Sequence, residues 1–140
     1  ARWLSNERGL PLELVPDLRE IGFGSWEGVS RSELREQRRD EYEAFYQDPV
    51  HNRPAGAEPL DDFGHRVARA LDAAATQHAG ERVLIVAHAG VIRAAIGHVL
   101  QSPPALWYQC DVANAGLTRL VRDNEAWRLV RHNCLPTMED

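Results

Sequence analysis

Apolar residues recur along this chain with helical spacing in some segments and as short uninterrupted runs in others. Over residues 60–78 they return every three or four positions, which predicts an amphipathic helix that ends before Gly80. A second apolar helical pattern begins at about Gly90. Between the two helices, residues 83–86 form a continuous apolar run, which is typical of a strand in a parallel sheet that helices cover on both faces.

The remaining segments show weaker patterns, read from alternation, capping residues and the positions of glycine and proline. They predict the last turns of a helix over residues 1–8, followed by Gly9, then a short strand over residues 11–15 and a glycine-rich loop over residues 17–28 that returns to His88. A mostly solvated helix is predicted from Ser30, with Glu33 completing a capping box, to about Tyr46, followed by a loop over residues 48–59. Strands are predicted over residues 116–122 and 126–132, joined by a turn over residues 123–125.

The junction after residues 83–86 is the strongest candidate for chemistry. His88 lies where the predicted strand ends, and Gly90 allows a tight turn into the helix that follows. Ligands of α/β sheets collect at the carboxyl ends of strands, where a helix N-terminus offers unpaired N–H groups and a partial positive charge. We therefore expect His88, Ala89 and Gly90 to bind an anion, phosphate foremost. The alternative interpretation is a core histidine whose ring is satisfied by hydrogen bonds.

Composition and charge narrow the class of protein. A chain of 140 residues can bury one core, so residues 1–140 are expected to form a single domain. The net charge of -5 gives an overall field that repels nucleic acid and anionic membranes. Because no apolar run is long enough to cross a bilayer, a cytoplasmic protein is expected. Cys110 and Cys134 form no CxxC pair and are expected to be free thiols.

Three motifs in this chain together resemble the histidine phosphatase superfamily, which also contains the cofactor-dependent phosphoglycerate mutases. They are LREIGFGSWEG at residues 18–28, PAGAEPLDDFGHRV at residues 54–67 and VLIVAHAGVIRAAI at residues 83–96. Their order and spacing match the family, and the resemblance extends from about Trp3 to Trp127. It implies an α/β fold, a three-layer α/β/α sandwich with a mostly parallel central sheet, of the phosphoglycerate mutase-like type.

The resemblance also implies roles for individual residues. In the family a histidine is phosphorylated during turnover beside a second histidine, which falls on His88, and a carboxylic general acid, which falls on Glu20. Glu27 of the WEG motif is expected to be structural. The implied activity is a metal-independent phosphomonoesterase with no cofactor and a small phosphorylated substrate, most similar to the α-ribazole phosphatase-like branch. Mutase-type phosphoryl transfer and a non-catalytic phosphate-binding remnant are the alternatives.

The sequence departs from the family at its N-terminal side. The Arg-His-Gly motif with the nucleophilic histidine is absent, and Ala1 corresponds to the helix after the family's second strand. The resemblance therefore leads us to expect that two strand-and-helix units, about 60 residues at about 30 per unit, are missing. We expect these 140 residues to be inactive alone, and we expect that an N-terminal segment completes the sheet, that a second copy in a homodimer does so, or that the sheet has rearranged. Pro59 stands where the family commonly has Ser, which removes a side-chain cap.

Overall fold

The computed structural model describes residues 1–124 and 126–135. Its regular elements in chain order are the helices α1 (Arg2–Arg8), α2 (Arg31–Gln37), α3 (Arg39–Gln47), α4 (Leu60–Gln77) and α5 (Ala89–Leu100) and the strands β1 (Leu117–Asp123) and β2 (Ala126–Cys134). Short 3₁₀ turns at Pro16–Leu18, Gly24–Trp26 and Pro104–Gln109 lie in the connections. Within these ranges no helix is long and apolar enough to span a membrane.

Helices α4 and α5 pack against each other and form the main core. The apolar stripe of α4 that the sequence predicts is buried against α5, and the indole of Trp107 closes the space between the two helices. Close packing of the indole is possible because Gly64 and Gly97 carry no side chain: a Cβ at either position would overlap Trp107. The principal core residues are Leu60, Phe63, Val67, Leu71, Val91, Ala94, Ala95 and Trp107.

The two strands form an antiparallel hairpin that packs on α5, as the sequence predicts for residues 116–132. The hairpin is also tied to α4, because Trp127 Nε1 donates to Asp72 Oδ1 at 2.8 Å. The predicted turn includes Glu125, which lies outside the described residues. Cys110 and Cys134 are free thiols, as predicted.

The helix predicted from Ser30 to Tyr46 is two helices. Its capping box is confirmed, since Ser30 Oγ accepts the Glu33 N–H and the Glu33 carboxylate accepts the Ser30 N–H. The helix then breaks at Arg38, whose backbone leaves the helical region with φ -135° and ψ 44°. The break turns α3 so that Phe45 and Leu34 both pack on Trp26, in a small aromatic cluster beside the main core. Burial of these three side chains outweighs the continuity of one helix.

The predicted strands over residues 11–15 and 83–86 are not strands in the structure. Strands β1 and β2 are the whole sheet of the described residues, so the predicted mostly parallel central sheet is not assembled by them. Across the described residues, no backbone hydrogen bond involves residues 82–87. A strand exists only with a hydrogen-bonded neighbour, and no described segment provides one. The apolar run is consequently open to solvent, with Leu84 56% and Val86 63% exposed.

Candidate active site

Glu20 reaches from the glycine-rich loop to the N-terminus of α5. Its Oε2 accepts the Gly90 N–H at 3.2 Å, and its Oε1 accepts the N–H of the adjacent Ile21 at 3.0 Å. A carboxylate is favoured at this end of a helix by the free N–H groups and by the helix dipole. The loop over residues 17–28 therefore returns to the start of α5 beside His88, as the sequence predicts.

Gly90 is the residue that lets the carboxylate approach so closely. The residue is buried, and a Cβ built on it would overlap Glu20 Oε1. The glycine is therefore needed less for a tight turn than for space, since its φ is not positive. Glu20 and Gly90, 70 positions apart in the chain, form one packed unit.

His88 immediately precedes α5 and is exposed. Its backbone is extended, with φ -89° and ψ 167°, and its carbonyl accepts the Ile92 N–H at 3.1 Å as the first bond of the helix. Within the described residues its imidazole ring makes no hydrogen bond or ion pair, so the alternative of a satisfied core histidine does not fit this position. The ring is accessible to a ligand at the same helix end that Glu20 contacts.

The two backbone N–H groups predicted to bind substrate differ in their surroundings. The Gly90 N–H is already donated to Glu20, so an anion can use it only if the carboxylate releases it. The Ala89 N–H has no acceptor among the described residues. A phosphate oxygen at this corner would therefore find Ala89 N–H and the His88 ring available.

A buried arginine holds the loop that carries Glu20, and the sequence analysis missed it. Arg66 on α4 is 5% exposed and donates through Nη1 to the carbonyl oxygens of Asp17 at 2.7 Å and Arg19 at 2.8 Å. Its Nη2 donates to the Glu20 carbonyl at 3.1 Å. An arginine in a helix is usually solvated, and no local pattern predicts partners 46 to 49 positions away.

Glu58 balances the charge of Arg66. The two side chains form a bidentate pair, with Nε to Oε1 at 2.7 Å and Nη2 to Oε2 at 2.8 Å. Glu58 also accepts the Gly22 N–H through Oε2 at 3.2 Å and donates its own N–H to the Gly22 carbonyl at 2.8 Å. The hydrogen bond from Arg66 is the main reason that the pKa of Glu58 is lowered. Glu58 and Arg66 thus hold the chain on both sides of Glu20.

Comparison with known proteins identifies the family. The model of the histidine phosphatase superfamily (branch 1) matches residues 1–135. The chain belongs to this superfamily. It is 29% identical over 109 residues to the adenosylcobalamin/alpha-ribazole phosphatase of Escherichia coli K12, covering 77% of this chain and 54% of that protein. It is 37% identical over 92 residues to the metal-independent phosphoserine phosphatase of Arabidopsis thaliana, covering 65% of this chain and 39% of that protein.

The solved structure of Bacillus stearothermophilus YhfR shares the fold of this chain. It superimposes with a TM-score of 0.80 at 25% identity, over 91% of this chain and 63% of that one. The phosphoglycerate mutase-like α/β fold implied by the motifs is therefore confirmed. The chain spans about half the length of the curated relatives it matches, or less.

Tyr108 and Arg93 lie beside the Glu20 corner of this histidine phosphatase domain. Arg93 stacks over the Tyr108 ring, with Cζ 5.4 Å from the ring centroid, and donates through Nε to the Cys110 carbonyl at 2.8 Å. Burial raises the pKa of Tyr108 well above its ordinary value, and the negative charge of Glu20 adds to this effect. The phenol is therefore neutral throughout the physiological pH range.

The other candidate groups lie outside this corner. Glu27 is exposed, and its carboxylate makes no hydrogen bond or ion pair with any described residue, so its structural role stays a prediction. In the described part of the chain, no group of three or more His, Cys, Asp or Glu residues is arranged to hold a metal. Most of the remaining histidines have hydrogen-bond partners, namely His51 with Asp48, His78 with Glu81, His98 with Asp72, and His132 with Thr118.

Proposed function

We propose that this chain supplies the general acid and a phosphate-binding histidine of a metal-independent phosphomonoesterase that works through a phosphohistidine. The observation that carries the proposal is the placement of the Glu20 carboxylate on the first turn of α5, where it accepts the Gly90 N–H. Gly90 is two positions after His88, whose ring is exposed. The position of the chain among histidine phosphatases, including relatives named as phosphatases, supports the same reaction class.

Each residue type suits one requirement of phosphoryl transfer. The reaction needs an in-line nucleophile, donors around the equatorial oxygens and a proton for the leaving alkoxide. In the first step, an imidazole nitrogen forms a bond to phosphorus while the ester P–O bond breaks, and protonated Glu20 gives its proton to the leaving oxygen. In the second step, Glu20 takes a proton from water as the water oxygen attacks phosphorus and releases the imidazole. His88 and Ala89 N–H would stabilise the phosphoryl oxygens throughout.

The nucleophilic histidine is proposed to come from a segment outside these 140 residues. Such a segment would end in Arg-His-Gly and pair along residues 83–86, either from the same polypeptide or from a second copy in a homodimer. The proposal is supported by the unpaired backbone and exposed apolar side chains of residues 83–86. The apolar side chains of residues 83–86 would be covered by the pairing strand and by the helices that accompany that strand.

For the substrate we propose a small phosphomonoester, with an α-ribazole phosphatase-like reaction as the first candidate. We propose that the reaction takes place in the cytoplasm and that neither nucleic acid nor a membrane is a partner. The 29% identity to the Escherichia coli adenosylcobalamin/alpha-ribazole phosphatase supports this choice. A non-catalytic phosphate-binding domain is the second candidate, because residues 1–140 contain no Arg-His-Gly.

The experiment that tests the proposal follows phosphate on the protein. The natural chain, with any sequence that adjoins residues 1–140, is mixed with a phosphomonoester, quenched and analysed for acid-labile, base-stable phosphate, with and without a chelator. We expect trapped phosphohistidine and undiminished turnover in the chelator. Activity that chelation abolishes and added metal restores would contradict the mechanism. Phosphate binding without turnover would favour the second candidate.

A further inference from the structure

We propose that Arg66, paired with Glu58, is a positioning residue for Glu20, an inference that rests on the proposed role of Glu20 as the general acid. In the described part of the chain Arg66 makes no hydrogen bond to the Glu20 carboxylate or to α5; its contact with Glu20 is with the backbone carbonyl. It would act by fixing the backbone from which the Glu20 side chain extends, so that the carboxyl group meets the Gly90 N–H. Neither the family assignment nor the catalytic motif gives Arg66 this role.

The hydrogen bonds of Arg66 saturate its guanidinium group. A guanidinium has five N–H donors, and Arg66 makes five contacts, two with the Glu58 carboxylate and three with backbone carbonyl groups. The three carbonyls belong to Asp17, Arg19 and Glu20. All five contacts fall between 2.7 and 3.1 Å. Such a planar, rigid fork fixes both the distance and the direction of the backbone that it holds.

Apart from the burial of the Ile21 side chain in the main core, the loop around Glu20 has few other constraints. Between the 3₁₀ turns Pro16–Leu18 and Gly24–Trp26 it belongs to no helix or strand. Its backbone is held at Gly22 by Glu58, through the Gly22 N–H and the Gly22 carbonyl. Arg66 and Glu58 therefore fix the backbone on both sides of Glu20 through hydrogen bonds, as a neighbouring strand would in a sheet. A change in either side chain should move the Glu20 Cα before it moves the helices.

The contact between Glu20 and Gly90 is sensitive to such a movement. The N–H to Oε2 distance is 3.2 Å, near the upper end for a hydrogen bond, so a small shift of the loop breaks it. The contact between Glu20 Oε1 and the Ile21 N–H joins neighbouring residues and moves with the loop. If Glu20 is misplaced, only the Gly90 contact is lost. If the carboxyl group is removed or the loop unfolds, the Ile21 contact is lost as well.

The test is a pH titration of the ¹⁵N-labelled natural chain, followed through the amide signals of Ile21 and Gly90. In the wild type both signals should move with one shared midpoint, because both N–H groups donate to the same carboxyl group. In Arg66→Lys, which keeps the charge but not the fork, the Gly90 signal should lose at least about half of its pH-dependent shift while Ile21 keeps its own.

Arg69→Lys is the matched control. Arg69 lies one turn further along α4 and is 68% exposed, with Nη2 3.9 Å from Asp17 Oδ2. This variant should leave both titrations unchanged. An undiminished Gly90 titration in Arg66→Lys overturns the proposal. If Arg66→Lys does not fold, Glu58→Gln replaces it with the same expected loss at Gly90. If neither variant folds, the pair holds the whole domain rather than Glu20, and this result also overturns the proposal.

A kinetic measurement separates this inference from the proposed function. Arg66→Lys should lower kcat about 10-fold or more on an alkyl phosphate and less than about 3-fold on p-nitrophenyl phosphate, because only the alkyl leaving group needs a well-placed acid. Arg69→Lys should match the wild type on both substrates. A wild-type natural chain without phosphatase activity would overturn the proposed function. An active chain whose Arg66→Lys variant keeps the Gly90 titration would overturn the positioning role alone.

Discussion

Glu20 combines the proposed general acid with a structural contact at one position. Its carboxyl oxygens accept two backbone N–H groups, from Ile21 and Gly90, which hold the group at the helix end. The same carboxyl must exchange a proton with a leaving group for the proposed reaction. A substrate that displaces the Gly90 contact would free both the carboxyl oxygen and one N–H donor at the phosphate corner.

Glu20→Gln should therefore affect substrates according to their leaving groups. The variant keeps an acceptor for one N–H but cannot deliver a proton, so kcat on alkyl phosphates should fall about 100-fold or more. Aryl phosphates leave without full protonation and should lose much less. Steady-state kinetics on both substrate types, in the natural chain, measure the difference. Glu27→Gln is the control and should change either rate little, since Glu27 is exposed. Equal losses on both substrates for Glu20→Gln would remove it as the acid.

Glu58 makes the domain lose stability as the pH falls into the acid range. The hydrogen bond from Arg66 lowers the pKa of Glu58 below its ordinary value of 4.5. Its contribution to stability is therefore present above pH 4.5 and is lost as the pH falls through the lower pKa of the folded state. Thermal melts should show that the wild type loses more stability than Glu58→Gln below this pH. Glu43→Gln removes an exposed ion pair with Arg39 and should follow the wild type. Parallel acid curves for the wild type and Glu58→Gln would contradict the linkage.

The residues of the site differ in how far the sequence could predict them. Glu20, His88 and Gly90 stand in motifs, and the glycine-rich composition of the loop indicated its return to the junction. Arg66 and Glu58 stand in the second motif, but nothing local shows that their side chains are buried. Their role depends on backbone carbonyl groups far away in the chain, which side-chain patterns do not encode.

At the scale of elements, helices were predicted better than strands because a helix satisfies its own backbone. The boundaries of α4 and α5 follow the apolar spacing, and α1 ends at Arg8, directly before Gly9 with φ 61°, as expected. The strands at residues 11–15 and 83–86 require partners that no local pattern can supply. The break at Arg38 was also missed, because no glycine or proline marks it and the cause is the distant Trp26.

The contact between α4 and α5 depends on Trp107 and a glycine on each helix. In Gly97→Ala the new methyl group overlaps the indole, and such overpacking costs about 1 to 3 kcal/mol. The better helix propensity of alanine returns at most about 1 kcal/mol. The free energy of unfolding should therefore fall, as denaturant titration would show. In a Trp107→Phe background the ring is smaller, and the same substitution should cost less or stabilise. An equal cost in both backgrounds would place the strain elsewhere.

At the scale of the whole molecule, two apolar segments lie at the surface of a well-packed helical core. Residues 83–86 are 38% to 63% exposed, and Leu14 is 73% exposed. Exposed apolar runs with unpaired backbone groups are aggregation hazards unless another segment covers them. The fold of the superfamily, which this chain shares at a TM-score of 0.80 with YhfR, is therefore expected to be completed by further chain.

Residues 1–140 expressed alone should not hydrolyse p-nitrophenyl phosphate or form phosphoenzyme, because in the proposed mechanism His88 binds the phosphoryl oxygens and does not attack phosphorus in line. The same residues preceded by strand-and-helix units ending their first strand in Arg-His-Gly should do both. This longer chain should also remain unassociated at concentrations where residues 1–140 alone associate, since residues 83–86 would then be paired with the added strand. Robust turnover by residues 1–140 alone, lost in His88→Ala, would show that His88 is itself the nucleophile.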